Sequence, residues 1–127
     1  MVHPVRAVFH AELAGLLRDL ARMTQLTAQM MTNASIALHQ IDRALAVLVI
    51  AEHDQLTVAL AAGERRCVLL LALQAPVAWD LRVLVAVLRS LSQAQRMGTL
   101  ARHVAVMALC KHPNPWQQVR CGPSWPG

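Results

Sequence analysis

The stretch that decides the fold is FHAELAGLLRDLARMTQLTAQMMTNASIALHQI, residues 9–41. Core-type residues recur along it at alternating intervals of four and three, which is the spacing of one face of an α-helix. This stripe consists of Phe9, Leu13, Leu16, Leu20, Met23, Thr27, Met30, Ala34, Ala37 and Ile41. Because proline suits the first turn of a helix, the pattern predicts a first helix from Pro4 to Gln40.

A second and a third helix follow from the same kind of spacing. Asp42 is of an N-cap residue type, and Pro76 ends helix two because the residue before a proline avoids the α region. Pro76 can then open helix three, which we expect to run to about Lys111, with Asp80 near its positive end. The inner stripe of helix two comprises Leu45, Val49, Leu56, Ala59, Cys67, Leu70 and Leu73. The inner stripe of helix three comprises Leu81, Leu84, Leu88, Leu91, Gly98 and Ala105.

Three long helices joined by short turns must fold back on one another, so the predicted fold is all-α, an antiparallel three-helix bundle. A chain of 127 residues has room for one domain. With 56% hydrophobic, 15% charged and 3% aromatic residues, its core should be aliphatic. We place this domain at residues 1–112. The stretch 113–127 is rich in proline and glycine and is predicted to be a disordered tail.

The sequence predicts no transmembrane segment. A spanning helix needs about 20 apolar residues, whereas the uncharged stretch 23–41 is rich in polar residues and the apolar stretch 67–79 is short and contains Pro76. The charged N-terminus does not resemble a signal peptide. The three cysteines are odd in number and widely spaced, which fits reduced thiols. These features indicate a cytoplasmic protein.

The charges are unevenly distributed along the chain. All seven carboxylates lie at or before Asp80, and the net charge is +5. In helix three, Arg82, Arg89, Arg96 and His103 recur every seven residues, which keeps them on one face. This basic stripe could meet an acidic partner or phosphate groups. The alternative is an exposed face that is partly paired with acids of the other helices, such as Asp19 or Glu64.

No arrangement of residues indicates catalysis. The sequence contains no activated nucleophile motif, no phosphate-binding glycine loop and no HExxH. His53 lies between Glu52 and Asp54, but consecutive residues of a helix point in different directions and cannot chelate one ion together. We therefore predict no catalytic residues, no cofactor and no enzymatic activity.

The start of helix three carries a familiar motif. LQAPVAWDLR, residues 73–82, closely resembles the LQxPVAxDLR segment of the PhoU family, and QRMGTLARHVA, residues 95–105, is similar to that family's ERxGDxAxxxA segment. The resemblance covers residues 4–112, and its PVAxDLR match is the specific part. Asp80 and Arg82 are expected to be structural, holding the turn between helices two and three. The residues on family motifs are Pro76, Asp80, Arg82, Arg96 and Gly98.

The resemblance implies a regulatory role in phosphate homeostasis. PhoU-like proteins are cytosolic accessory proteins of the phosphate ABC transporter and consist of two tandem three-helix repeats. They dock to the transporter ATPase subunit and to a sensor histidine kinase, and so repress the phosphate-starvation response. The chain resembles a single N-terminal repeat and is expected to act in the same way, by docking and without chemistry.

Two departures from the family pattern matter. Some family members bind iron or zinc clusters through an acidic E/DxxxD motif, but Gln95 and Thr99 occupy those positions here. Neutral side chains are poor ligands for such clusters, so we predict no metal site. The resemblance covers one repeat, and we therefore expect the face that a second repeat would cover to be exposed. Helix two, which is short of charges at residues 44–51 and 67–73, should then mediate a homodimer.

Three other interpretations remain at this point. The chain could be a basic helical module that binds nucleic acid or an anionic membrane, although no nucleic-acid-binding motif accompanies its basic residues. It could be an inactive truncated paralogue. A metal-dependent helical-bundle enzyme is disfavoured because helix three has no acid beyond Asp80.

Overall fold

The computed structural model describes residues 4–73 and 78–111, which form three helices. Helix α1 spans Pro4–Gln40, α2 spans Arg43–Leu73 and α3 spans Ala78–Cys110. Each helix packs against the other two, so the predicted three-helix bundle is confirmed. The predicted tail, residues 113–127, and the predicted turn residue Pro76 lie outside the described residues.

Contacts between charged side chains show how the helices run. Arg66, near the end of α2, reaches Glu12 and Asp19, near the start of α1, so these two helices are antiparallel. The Nε2 atom of His10 lies 3.7 Å from Oδ1 of Asp80 at the start of α3. Helices α1 and α3 therefore run in the same direction, with α2 reversed between them.

The turn between α1 and α2 is only two residues long. Ile41 adopts a left-handed conformation with φ of 53°, and the next amide, of Asp42, donates to the carbonyl of Ala37 at 3.0 Å. This bond is the mark of a Schellman helix end. The carboxylate of Asp42 then accepts from the backbone N–H of Leu45 at 3.1 Å, which confirms the predicted N-cap. The tight turn forces α2 back along α1.

The core is one aliphatic cluster, and three of the predicted core positions are wrong. Ile41 and Leu81 are 43% and 44% exposed, and Ala59 is exposed as well. Leu60, next to Ala59, and Asp80, next to Leu81, are buried instead. Ile41 lies beyond the last residue of α1, in the turn to α2, which removes it from the stripe. At the other two positions, the rotation of α2 and α3 in the bundle turns the adjacent residue inward.

Two glycines allow α2 and α3 to pack closely. A Cβ atom on Gly98 would lie 2.5 Å from Cδ2 of Leu56, and one on Gly63 would lie 3.3 Å from Cδ2 of Leu91. Both glycines are buried. The prediction that Gly98 belongs to the inner stripe of α3 is therefore confirmed, and its role there is to leave room for a leucine of α2.

Helix α2 is apolar on both faces. Its segment Arg43–Ala72 contains an 18-residue window with a mean hydropathy of 1.5, of which 22% is buried, and is long and apolar enough to cross a membrane by length and composition alone. The expectation of no transmembrane segment rested on residues 23–41 and 67–79 and did not include this segment, which carries charged residues at 52, 54 and 64–66. One stripe of α2 packs against α1 and α3. On the other side the large apolar side chains that remain exposed are Val47, Leu48, Val58, Val68 and Leu69.

The cysteines of the described segments differ in state. Cys67 is free and fully buried in the core. Cys110, at the end of α3, is disulfide-bonded. The expectation of reduced thiols is therefore met by Cys67 and is wrong for Cys110.

Candidate docking surface

The predicted basic stripe runs along the outer side of α3. Arg82, Arg89 and Arg96 are exposed, and His103 is half-buried. In residues 4–73 and 78–111, no carboxylate lies within 4.0 Å of the three guanidinium groups. Asp19, one of the acids expected to neutralise the stripe, pairs instead with arginines of α1 and α2. The three arginines therefore present their charge to the outside.

Apolar side chains lie between the arginines. Leu81 and Val85, 44% and 40% exposed, line a shallow groove of about 520 Å³ together with Arg82, Ala86 and Arg89. Farther along the same helix, Met97, Leu100 and Met107 are also exposed. An interface commonly combines an apolar centre with a polar rim. This side of α3 is suited to a partner that offers carboxylates around apolar side chains.

Arg89 also borders a second groove, of about 290 Å³, between α1 and α3. The hydroxyl groups that line this groove are used within their own helices. Thr24 Oγ1 donates to the carbonyl of Leu20 and Ser90 Oγ to that of Ala86, each at 2.9 Å. Arg89 is the one charged side chain among the lining residues that the structure describes. Its position between the two grooves makes it the centre of the candidate docking surface.

The positions of the family's acidic motif lie on this same helix. Gln95 is exposed, and Thr99 is half-buried with its hydroxyl donating to the carbonyl of Gln95 at 3.0 Å. The described residues contain no group of three His, Cys, Asp or Glu side chains that could hold a metal ion. The absence of a metal site stays a prediction, and it rests on the chemistry of these two side chains.

The three neighbours Glu52, His53 and Asp54 of α2 point in different directions, as the helix geometry requires. Asp54 is 81% exposed at its side chain, whereas that of His53 is 19% exposed, and His53 Nδ1 lies 3.8 Å from the Asp54 carboxylate. Within the described segments, Oε2 of Glu52 and Nδ1 of His53 are buried and have no hydrogen-bond partner. These three neighbours do not converge on one point and offer no chelating site.

The family-motif residues occupy different environments. Asp80 is buried beside His10 of α1, so it ties the start of α3 to the first helix. Arg82 and Arg96 are exposed, and Gly98 is buried against α2. The role predicted for Asp80 and Arg82, holding the turn between helices two and three, stays a prediction, and Arg82 lies on the surface that a partner could reach.

The sequence analysis missed an ion-pair cluster between α1 and α2. Arg66 is 35% exposed at its side chain and lies 3.6 Å from the carboxylate of Glu12 while donating to that of Asp19. Arg22 lies 3.9 Å from the same aspartate. The signal that could have revealed the cluster is the seven-residue spacing of Glu12 and Asp19, which places two acids on one side of α1.

Residues 20–108 match the family model of the PhoU domain.

The chain belongs to the PhoU family.

Curated PhoU relatives are similar in sequence to this chain over most of its length. The phosphate-specific transport system accessory protein PhoU homolog 2 of Mycobacterium tuberculosis is 40% identical over 109 residues, which cover 86% of this chain and 51% of the relative. PhoU homolog 1 of Mycobacterium leprae is 40% identical over 109 residues, 86% of this chain and 49% of the relative. PhoU of Serratia marcescens is 30% identical over 109 residues, 86% of this chain and 45% of the relative. No solved structure matches the chain.

This PhoU-family chain spans about half the length of the curated relatives that it matches. Their names place them in phosphate transport as accessory proteins. On this chain, the exposed side of α3 combines arginines with exposed apolar side chains.

Proposed function

We propose that this chain is a PhoU-like regulator of phosphate uptake that acts in the cytoplasm by docking. Its partners are the ATPase subunit of a phosphate ABC transporter and a sensor histidine kinase, and its effect is to repress the phosphate-starvation response. It has no catalytic activity and needs no cofactor.

The observation that carries this proposal is the set of three exposed arginines of α3, Arg82, Arg89 and Arg96. Three arginines project from one helix beside exposed Leu81 and Val85, without a carboxylate partner among the described residues. Complementary charge steers two proteins together and selects the correct partner. An acidic, partly apolar surface on the ATPase subunit or the kinase would fit this stripe.

The test measures binding of the purified chain to the ATPase subunit by calorimetry. Replacing Arg82, Arg89 and Arg96 together by Glu should weaken binding by about tenfold or more, because attraction becomes repulsion. A matched control replaces the exposed Arg6, Arg18 and Arg43 by Glu, which changes the net charge equally on other helices. Equal losses in both variants would mean that net charge alone matters and would contradict docking through α3.

The second candidate function is a basic helical module that binds nucleic acid or an anionic membrane, and the same exposed arginines favour it. Binding to phosphate groups weakens steeply with salt because counterions are released. A docking surface with an apolar centre loses less affinity over the same range. Titrating duplex DNA, anionic vesicles and the ATPase subunit at rising salt therefore separates the two functions.

We also propose that the chain forms a homodimer. The large apolar side chains on the outside of α2 support this, because an exposed apolar patch larger than a few hundred Å² usually marks an interaction surface. Light scattering coupled to size-exclusion chromatography should give twice the chain mass of 13.9 kDa. A monomer that binds no hydrophobic dye would contradict self-association.

A further inference from the structure

The face of α2 that points away from the bundle carries a regular stripe of its own, which we call the outer seam. Its members recur at alternating intervals of four and three, the spacing with which two helices pack knobs into holes. All of them are exposed except Ala62, which is half-buried. The outer seam consists of Ala44, Leu48, Ala51, Gln55, Val58, Ala62, Arg65, Leu69 and Ala72.

The outer seam of one copy is complementary to the outer seam of a second copy that runs antiparallel to it. In one antiparallel register, every large apolar residue meets a small one, and the two polar residues meet each other. Packing in cores and interfaces favours this alternation of large and small side chains. The facing pairs are Leu48 with Ala72, Ala51 with Leu69, Gln55 with Arg65, and Val58 with Ala62.

A parallel arrangement lacks this complementarity. Each residue would face its own copy, so that Arg65 would lie against Arg65 and alanine against alanine. Like charges at the centre of a helix pair repel, and facing alanines leave gaps that leucines on other layers cannot fill. The pattern of the seam therefore selects the antiparallel pair, which a two-fold axis generates.

A lipid bilayer is the other apolar surface that could cover the seam. Arg65 and Gln55 lie within the seam, and the carboxylate of Asp54 beside it is 81% exposed. Placing charged groups in the hydrocarbon is costly. The opposite stripe of α2 is also occupied by α1 and α3, so the helix could not enter a bilayer without opening the bundle.

We propose that a second copy of this chain packs on the outer seam of α2 in the antiparallel register in which Gln55 faces Arg65. The proposal rests on the homodimer proposed above and adds its surface and its direction. From Ala44 to Ala72 the seam extends for about 42 Å, at a rise of about 1.5 Å per residue.

Charge substitutions at the polar layer test the register. Gln55→Glu places a carboxylate opposite Arg65 of the other copy and should lower the dimer dissociation constant several-fold, whereas Gln55→Arg should raise it about tenfold or more. Adding Arg65→Glu to Gln55→Arg should restore the original affinity. Residues 55 and 65 of one chain are about 15 Å apart along the helix, so this rescue must act between copies.

Sedimentation equilibrium on the full chain measures these constants, and circular dichroism checks that helicity is kept. The control variants Gln29→Glu and Gln29→Arg make the same changes at an exposed position of α1 and should leave the dissociation constant unchanged. Helicity should be equal in all variants, since every changed side chain is exposed.

Four results would overturn the proposal. If the dimer dissociation constant is the same in all three seam variants as in the unchanged protein, the interface lies elsewhere and only self-association stands. A dimer weakened by Gln55→Glu would be parallel. A chain that stays monomeric would contradict both the seam and the homodimer, and a monomer that floats with phosphatidylglycerol vesicles would assign the apolar face to lipid. None of these results depends on binding to the ATPase subunit.

Discussion

Replacing Gly98 by alanine should destabilise the bundle although alanine is the better helix former. The new Cβ atom would lie 2.5 Å from Cδ2 of Leu56, whose side chain is only 1% exposed and has little room to move. Overpacking a core costs about 1–3 kcal/mol, and the gain in helix propensity returns up to about 1 kcal/mol. We expect a net loss of about 1 kcal/mol, which lowers the melting temperature by about 4 °C in a domain of this size.

A double-mutant cycle isolates the contact with Leu56. In a Leu56→Ala background, which is itself less stable by about 2–5 kcal/mol, the new methyl group has space. There Gly98→Ala should be neutral or stabilising by up to about 1 kcal/mol. The free energies come from urea unfolding followed by circular dichroism.

Gly15→Ala serves as the matched control. A Cβ atom at Gly15 would meet only the ends of arginine side chains, with Arg66 Nη2 at 3.2 Å, so the change should be neutral or slightly stabilising. If Gly98→Ala were as stable as the unchanged protein, or if the Leu56→Ala background made no difference, α2 and α3 would not approach as closely as described.

Three further predictions concern single sites. Ile41→Gly should raise the free energy of unfolding by up to about 1 kcal/mol. Glycine avoids the cost of about 1–2 kcal/mol that a left-handed conformation imposes on other residues, but part of this gain is offset because glycine loses more conformational freedom on folding. Ile41→Ala, which keeps the left-handed residue non-glycine, should not raise the melting temperature. Burial raises the pKa of the Cys67 thiol above 9.0, so the stabilising contribution of the neutral thiol is complete below that pH and is lost as the pH rises through the folded pKa. Urea unfolding of the protein and of Cys67→Ala on both sides of pH 9.0 should show the extra loss only where the thiol is present, and parallel curves would contradict it. Elemental analysis after chelator treatment should find no stoichiometric iron or zinc, since Gln95 and Thr99 replace two acids; one tightly bound metal per chain would refute this.

The three helices were predictable from the sequence because their determinants are local. The limits of α1 coincide with the predicted ones, and the N-cap of Asp42 was recognisable from residue type. The motif at residues 73–82 indicated the family, to which the chain belongs. The basic stripe of α3 was also visible, since its period of seven places arginines on one side of any helix. The division between the domain and the tail at residues 112 and 113 stays a prediction.

The exact buried positions and the ion pairs between helices depend on which helices are in contact and on how they are rotated and aligned along their axes. Sequence spacing placed Leu81 and Ala59 in the core, but the rotation of each helix against its neighbours buried Asp80 and Leu60 instead. The pairing of Arg66 with two acids of α1 joins residues far apart in the chain, and no local pattern specifies such a pair.

The sequence by itself determined the number of helices, their ends and the chemical character of each face, because helix formation and capping depend on neighbouring residues. Only the tertiary structure decided that α1 and α3 leave the outer seam of α2 exposed, because which helix faces meet depends on how the helices pack. It also decided that the arginines of α3 lack an acidic partner in the described bundle, because pairing across helices depends on their packing and not on composition.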